Sequence, residues 1–225
     1  MNRKGSSTQS APFWDDSLFP AGPVLFVLGT DTGVGKTLLV ESLIRSAKDR
    51  DRLRIVKAAQ TGAGEERDLR RYLEAGVSPE QVFEGYSFAR PLDPMTAARL
   101  EGSFLDPDFL ADRIRHLHDE GYQVVVEGSG GILSPFFPDG TGILSLALRL
   151  GRPINLLLVS HPHLGTLSST LAAVRILREE GYPPRALVLC ARPGVSDLAS
   201  TVNPETLRTL LFPLPVLMLS PELSD

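Results

Sequence analysis

A single cysteine, Cys190, leaves no partner for an intrachain disulfide, which suits a reducing compartment and an expected cytoplasmic location. Long apolar runs are also missing. Nothing approaches the roughly 18–20 residues of a membrane-spanning helix, so no membrane partner is expected. Nor is there an excess of positive charge: 23 Lys and Arg stand against 27 Asp and Glu, a net −4 over 225 residues. Such a chain carries no electrostatic footprint for nucleic acid or an anionic bilayer. The N-terminal stretch MNRKGSSTQSAPFWDDSLFP has basic residues but lacks the apolar core of a secretory signal. Residues 1–21 are read as a flexible extension, with Phe13, Trp14 and Phe19 available to pack on the domain. Residues 22–225 are read as one domain, long enough to bury a full core. Internal repeats and low-complexity tracts are absent.

What is present is organised around Val24 to Thr37, VLFVLGTDTGVGKT. An apolar run is followed by a glycine-rich turn and then by Lys36-Thr37 at the head of a helical pattern, the strand, loop and helix of a phosphate-binding P-loop. Glycines let the backbone wrap so that successive N–H groups point at one phosphate group, and the helix N-terminus adds partial positive charge there. Lys36 is placed to reach the terminal phosphates, and the Thr37 hydroxyl to ligate Mg²⁺. The spacing departs from G-x-x-x-x-G-K-[ST]. Five residues, not four, separate Gly29 from Gly35, and Thr30 holds the usual first-glycine place.

Further strands are expected at Leu53 to Ala58, Tyr122 to Glu127, Ile154 to Ser160, Ala186 to Cys190 and Val216 to Leu219. Helices are expected at Leu38 to Ala47, Leu69 to Glu74, Met95 to Leu100, Phe104 to His118, Gly142 to Leu150, Leu164 to Glu180 and Pro204 to Leu211. Near-continuous apolar strands alternating with helices predict an α/β fold, a P-loop NTPase-like parallel sheet with helices on both faces. Ligands of such sheets sit beyond the carboxyl ends of the strands, and the chemistry-bearing residues follow the strands here.

Lys57 closes the second expected strand. With Lys36 assigned to the same edge, it reads as a second cation aimed at phosphate, and the Thr61 hydroxyl just beyond suits a polar group of a substrate. Glu127 ends an apolar strand, where an ionised carboxylate is costly unless paired or metal-bound; an acid there resembles the strand-end carboxylate that helps P-loop proteins hold Mg²⁺. Asp68 lies in the charged run EERDLRR, either a second acid or a solvated helix start. His161 and His163 flank Pro162 without a third ligand at metal-site spacing, so a polar loop is the better reading. His116 and His118 suit a helix C-terminus, and Cys190 reads as a small buried apolar residue.

Taken together, GTDTGVGKT, Lys57 with Gln60-Thr61-Gly62, Asp68, and Val126 to Gly131 (VEGSGG) resemble the ATP-dependent dethiobiotin synthetase family of biotin biosynthesis. The likeness runs collinearly from Val24 to about Leu223, through Pro91-Leu92-Asp93-Pro94, Leu164-Gly165-Thr166-Leu167 and Pro221-Glu222-Leu223. The resemblance implies that one amine of 7,8-diaminononanoate (diaminopelargonate) takes up CO₂ as a carbamate. ATP phosphorylates it, and the second amine closes the cyclic urea with release of ADP and phosphate. It implies catalytic roles for Lys57 and Lys36, ATP contacts from Gly33, Val34, Gly35, Lys36, Thr37 and Leu38, and Mg²⁺ held by Thr37, Asp68 and Glu127. Gly128, Ser129 and Gly130 would also lie at the nucleotide. Thr32, Thr61, Gly130 and Ser168 would contact the substrate, in a pocket built across a homodimer. The chain departs from the family's common residues at Gly33, Ala58-Ala59, Met95, Ser168-Ser169 and Cys190, the last standing where an asparagine often reads the adenine edge.

A nucleotide-switch ATPase of the partitioning or septum-site type is the rival reading. Its loop carries a lysine where this chain has Asp31, and no basic amphipathic C-terminal helix is evident.

Overall fold

In the computed structural model every residue of the first strand, Val24–Gly29, is buried, and its side chains go alternately to two cores. Val24, Phe26 and Leu28 enter one apolar cluster, while Leu25 and Val27 enter another. This period of two, with both sides apolar, is what a sheet covered on both faces demands. The structure describes residues 24–62, 68–191, 194–195 and 197–220. The expected extension over residues 1–21 and the segment 221–223 lie outside them.

In chain order the elements are β1 (Val24–Gly29), α1 (Lys36–Ser46), β2 (Leu53–Thr61), α2 (Asp68–Ala75) and, after a short 3₁₀ turn at Pro79–Gln81, β3 (Val82–Phe88). Then follow α3 (Pro94–Leu100), α4 (Pro107–Asp119), β4 (Gln123–Gly131), α5 (Leu144–Leu150) and β5 (Ile154–Ser160). The chain continues through α6 (Thr166–Glu179), β6 (Ala186–Cys190), α7 (Leu198–Leu211) and β7 (Val216–Leu219). Seven strands form one sheet in the order β3-β2-β4-β1-β5-β6-β7, and every pairing is parallel. Helices α1 and α2 supply the second apolar cluster. Helices α3 to α7 supply the first, on the opposite face. The α/β reading with helices on both faces therefore holds.

Three expectations need correction. No expected strand covers β3, because its residues are mostly half-buried and Gly85 interrupts the apolar pattern. Its pairing with Ala59, Gln60 and Thr61 carries β2 three residues beyond Ala58. In the same way Gly29 pairs with Gly131 and β4 runs four residues past Glu127. Lys57 and Glu127 are thus interior to their strands rather than at the ends. Finally, α7 begins at Leu198, not Pro204. Asp197 caps it by accepting from the Ser200 backbone N–H at 2.6 Å. The proline sits inside the helix, where its missing N–H removes the helical bond to the Ser200 carbonyl and its ring crowds that oxygen.

Among the described residues, no helix is long and apolar enough to cross a membrane.

Candidate active site

The site is built by register. In the parallel ladder Lys57 of β2 stands opposite Glu127 of β4, and Glu127 stands opposite Val27 of β1. Side chains opposite one another share a face. Along that face Leu53 and Ile55 precede Lys57, and Val125 precedes Glu127, all packed in the α1/α2 cluster. The apolar stripe therefore terminates in a lysine and a glutamate side by side. Lys57 is 7% exposed and Glu127 0%.

Two helices deliver the remaining groups to the same edge. Gly35 precedes α1 with φ +103° and its α-hydrogen against Cys190, whose Cβ would lie 2.5 Å from any Cβ added there, so only glycine makes this turn. Lys36 and Thr37 follow as the first helical residues. Lys36 Nζ donates to the carbonyls of Asp31 and Gly130, each at 2.9 Å. The ammonium folds back over Gly29, where an added Cβ would lie 3.0 Å from Nζ. The same Cβ would also lie 2.9 Å from Val34 Cγ2 and 3.0 Å from the Asp31 carbonyl oxygen, so a side chain at position 29 would displace the loop as well as the ammonium. Asp68 opens α2. Its carboxylate and that of Glu127 each lie 2.6 Å from Lys57 Nζ. The Thr37 hydroxyl has one proton to give, to Asp68 Oδ1 at 3.0 Å or Glu127 Oε1 at 2.9 Å.

The electrostatics follow from this packing. Burial pushes the Lys36 ammonium down to about 8; Glu127 opposes that shift and nearby Lys57 adds to it. Burial also works against the Lys57 charge, but Glu127 and Asp68 outweigh it and hold the ammonium above its ordinary value. Two ammonium groups, two carboxylates and a hydroxyl thus meet around a cavity of about 310 Å³ that Lys36, Thr37, Lys57, Asp68 and Glu127 all line. Asp68, Glu127 and Thr37 are hard oxygen donors, the type that divalent magnesium takes alongside phosphate oxygens and water.

Comparison with known proteins agrees with this geometry. A family model described as an AAA domain matches residues 24–220. The ATP-dependent dethiobiotin synthetase BioD of Anaeromyxobacter dehalogenans (strain 2CP-C) is 40% identical over 178 residues, covering 77% of this chain and 78% of that protein. The protein of the same name from Anaeromyxobacter sp. (strain Fw109-5) is 38% identical, with 80% and 82% covered. That from Streptomyces coelicolor is 37% identical, with 80% and 76% covered. The chain belongs to the dethiobiotin synthetase family.

Within this synthetase fold most of the residues singled out in the sequence converge. Thr32, Gly33, Gly35 and Leu38 line the cavity on the loop side, and Thr61, Ser129 and Gly130 on the strand side. Four do not line it. Val34 is buried in the α1/α2 cluster. An added Cβ on Gly128 would meet Leu28 and Ile143, so it faces the opposite core. Ser168 is exposed on α6. Cys190, expected at the adenine edge, is 2% exposed; its thiol lies beneath the loop, donating to the Gly35 carbonyl at 3.6 Å. That corrects the adenine expectation and agrees with the reading of a small buried residue. Asp31, which argues against a switch-ATPase loop, accepts from the Thr32 backbone N–H at 2.6 Å.

Two neighbours of the synthetase site carry no motif in the sequence. The Tyr72 hydroxyl donates to Glu127 Oε2; burial first, then Glu127, raises its pKa well above the ordinary value, so it stays a donor. Arg71 lines the cavity and gives its Nε–H to the buried Glu41 of α1. The available signal was spacing: Tyr72 follows Asp68 by four residues and shares its helix face. The histidines hold no ligand set. The His161 and His163 rings stack at 5.5 Å. Among the described residues, no group of three or more His, Cys, Asp or Glu is arranged to hold a metal unaided.

Proposed function

We propose that this chain catalyses the ATP-dependent carboxylation and ring closure of 7,8-diaminononanoate with CO₂ to dethiobiotin, ADP and phosphate. The observation that carries the proposal is Lys57, 2.6 Å from both Asp68 and Glu127 in the same cavity as the Lys36-Thr37 loop. Phosphoryl transfer asks a protein mainly for positioning and charge neutralisation, and these groups are suited to both. Lys36 and the loop N–H groups receive the terminal phosphates of ATP. Lys57 neutralises the carbamate and the phosphoryl group arriving on it. Thr37, Asp68 and Glu127 would hold Mg²⁺, which supplies charge neutralisation on the phosphates when bound. Thr32, Thr61 and the Gly130 backbone orient the diamine, and the cavity walls shield a carbamate prone to decomposition. Ser168 lies outside the cavity of one chain, so its substrate role belongs to a homodimer, in which a second copy brings it to the pocket. A cytoplasmic location suits such a biosynthetic enzyme.

The test is ADP release from purified protein with ATP, Mg²⁺ and bicarbonate, with and without the diamine. Release that depends on the diamine is expected. Diamine-independent turnover stimulated by a protein or DNA would overturn the proposal in favour of a switch ATPase.

A further inference from the structure

The side chain of Tyr72 is wholly buried, as is Glu127, and its ring packs in the cluster that α1 shares with the sheet. A phenylalanine fills such a space without a hydroxyl to satisfy, and a buried hydroxyl is costly unless it finds a partner. Its partner is Glu127 Oε2. The other oxygen, Oε1, faces Lys57 Nζ at 2.6 Å and the Thr37 hydroxyl at 2.9 Å. The two oxygens of one buried carboxylate are therefore divided, one toward α2 and one toward the cavity. Helix α2 is itself tied down, since Arg71 one residue earlier is paired with Glu41 of α1.

We infer that Tyr72 is a positioning residue for Glu127: its hydroxyl fixes the carboxylate plane so that Oε1 is presented to the divalent cation and to Lys57. One short helix then supplies one acid directly, through Asp68, and aims the other from a turn away. Hydrogen bonds to a metal-binding carboxylate orient it, and losing one typically weakens metal affinity by about 10–100-fold. The inference rests on the proposed reading of Thr37, Asp68 and Glu127 as the cation's donors, and the experiment separates the two.

Mn²⁺ binding is measured by electron paramagnetic resonance on the full chain with ADP present, for wild type, Tyr72→Phe and Tyr72→Leu. Tyr72→Phe keeps the ring and removes only the hydroxyl. The expected result is a loss of about 10-fold or more in Mn²⁺ affinity in both variants, with metal-free ADP affinity and the near-ultraviolet circular dichroism of Tyr72→Phe unchanged. Wild-type affinity retained in Tyr72→Phe overturns the inference alone. A wild-type chain that binds no Mn²⁺ overturns the reading beneath it as well. Should Tyr72→Phe fail to fold, the wild-type chain labelled with ¹³C-tyrosine is observed by nuclear magnetic resonance. A protected hydroxyl proton of Tyr72 that shifts and persists on addition of Mg²⁺ and ADP supports the inference, and its disappearance overturns it.

Discussion

Replacing Lys57 by methionine keeps most of the side chain's volume and deletes its charge. Glu127, 0% exposed, then keeps only the Tyr72 and Thr37 hydroxyls as hydrogen-bond partners, and the nearby Lys36 ammonium, which also favours its charge, donates instead to the carbonyls of Asp31 and Gly130. Asp68 loses its partner at 2.6 Å as well. Removing one member of a buried ion pair costs about 3–5 kcal/mol, because the survivor is a stranded charge. Against the ~5–15 kcal/mol that holds a typical domain together, the loss is large. Urea unfolding followed by circular dichroism, without nucleotide or metal, reads it as a lower midpoint at an unchanged slope. Adding Glu127→Gln removes the stranded charge, so the double variant is expected to regain stability over Lys57→Met, with a coupling of about 0.5–3 kcal/mol. A Lys57→Met protein within about 1 kcal/mol of wild type would refute the argument, since a loss that small is what a solvated pair gives.

Other predictions concern the loop and its supports. Gly35→Ala forces a side chain into a left-handed conformation, about 1–2 kcal/mol by itself, and into Cys190 at 2.5 Å; thermal melting and ATP affinity should both fall. Burial pushes the Cys190 thiol up to about 12, so Ellman's reagent at pH 8 should react with it only after denaturation. The sign follows: above about pH 9 the unfolded chain releases this proton while the folded chain keeps it, so this group makes stability fall as pH rises toward 12. Asp197→Ala removes the cap of α7 and should cost about 1 kcal/mol in urea unfolding.

The fold was legible where the signal was local. Unbroken apolar runs at Val24–Leu28 and Ala186–Cys190 specify strands buried on both faces, and the glycine-rich stretch before Lys36-Thr37 specifies the phosphate-binding turn. What could not be read was relational. That Lys57 and Glu127 stand opposite one another depends on the β2/β4 register, which no spacing between residues 57 and 127 encodes. The edge strand β3 escaped notice because an edge needs little apolar burial, and finding it is what extends β2. Pro204 resembled a helix start, yet the Asp197 cap with Ser200 is the stronger signal. Tyr72 draws its meaning only from a carboxylate on another element.

The proposed role of Lys57, serving the reacting groups rather than the grip on nucleotide, is tested by ¹³C-bicarbonate. Wild type with ATP, Mg²⁺ and the diamine should place the label in dethiobiotin. Lys57→Ala should form none, while binding ADP nearly as tightly as wild type. Labelled product at a rate near that of wild type from Lys57→Ala, or equal loss of product and of ADP binding, would contradict the account.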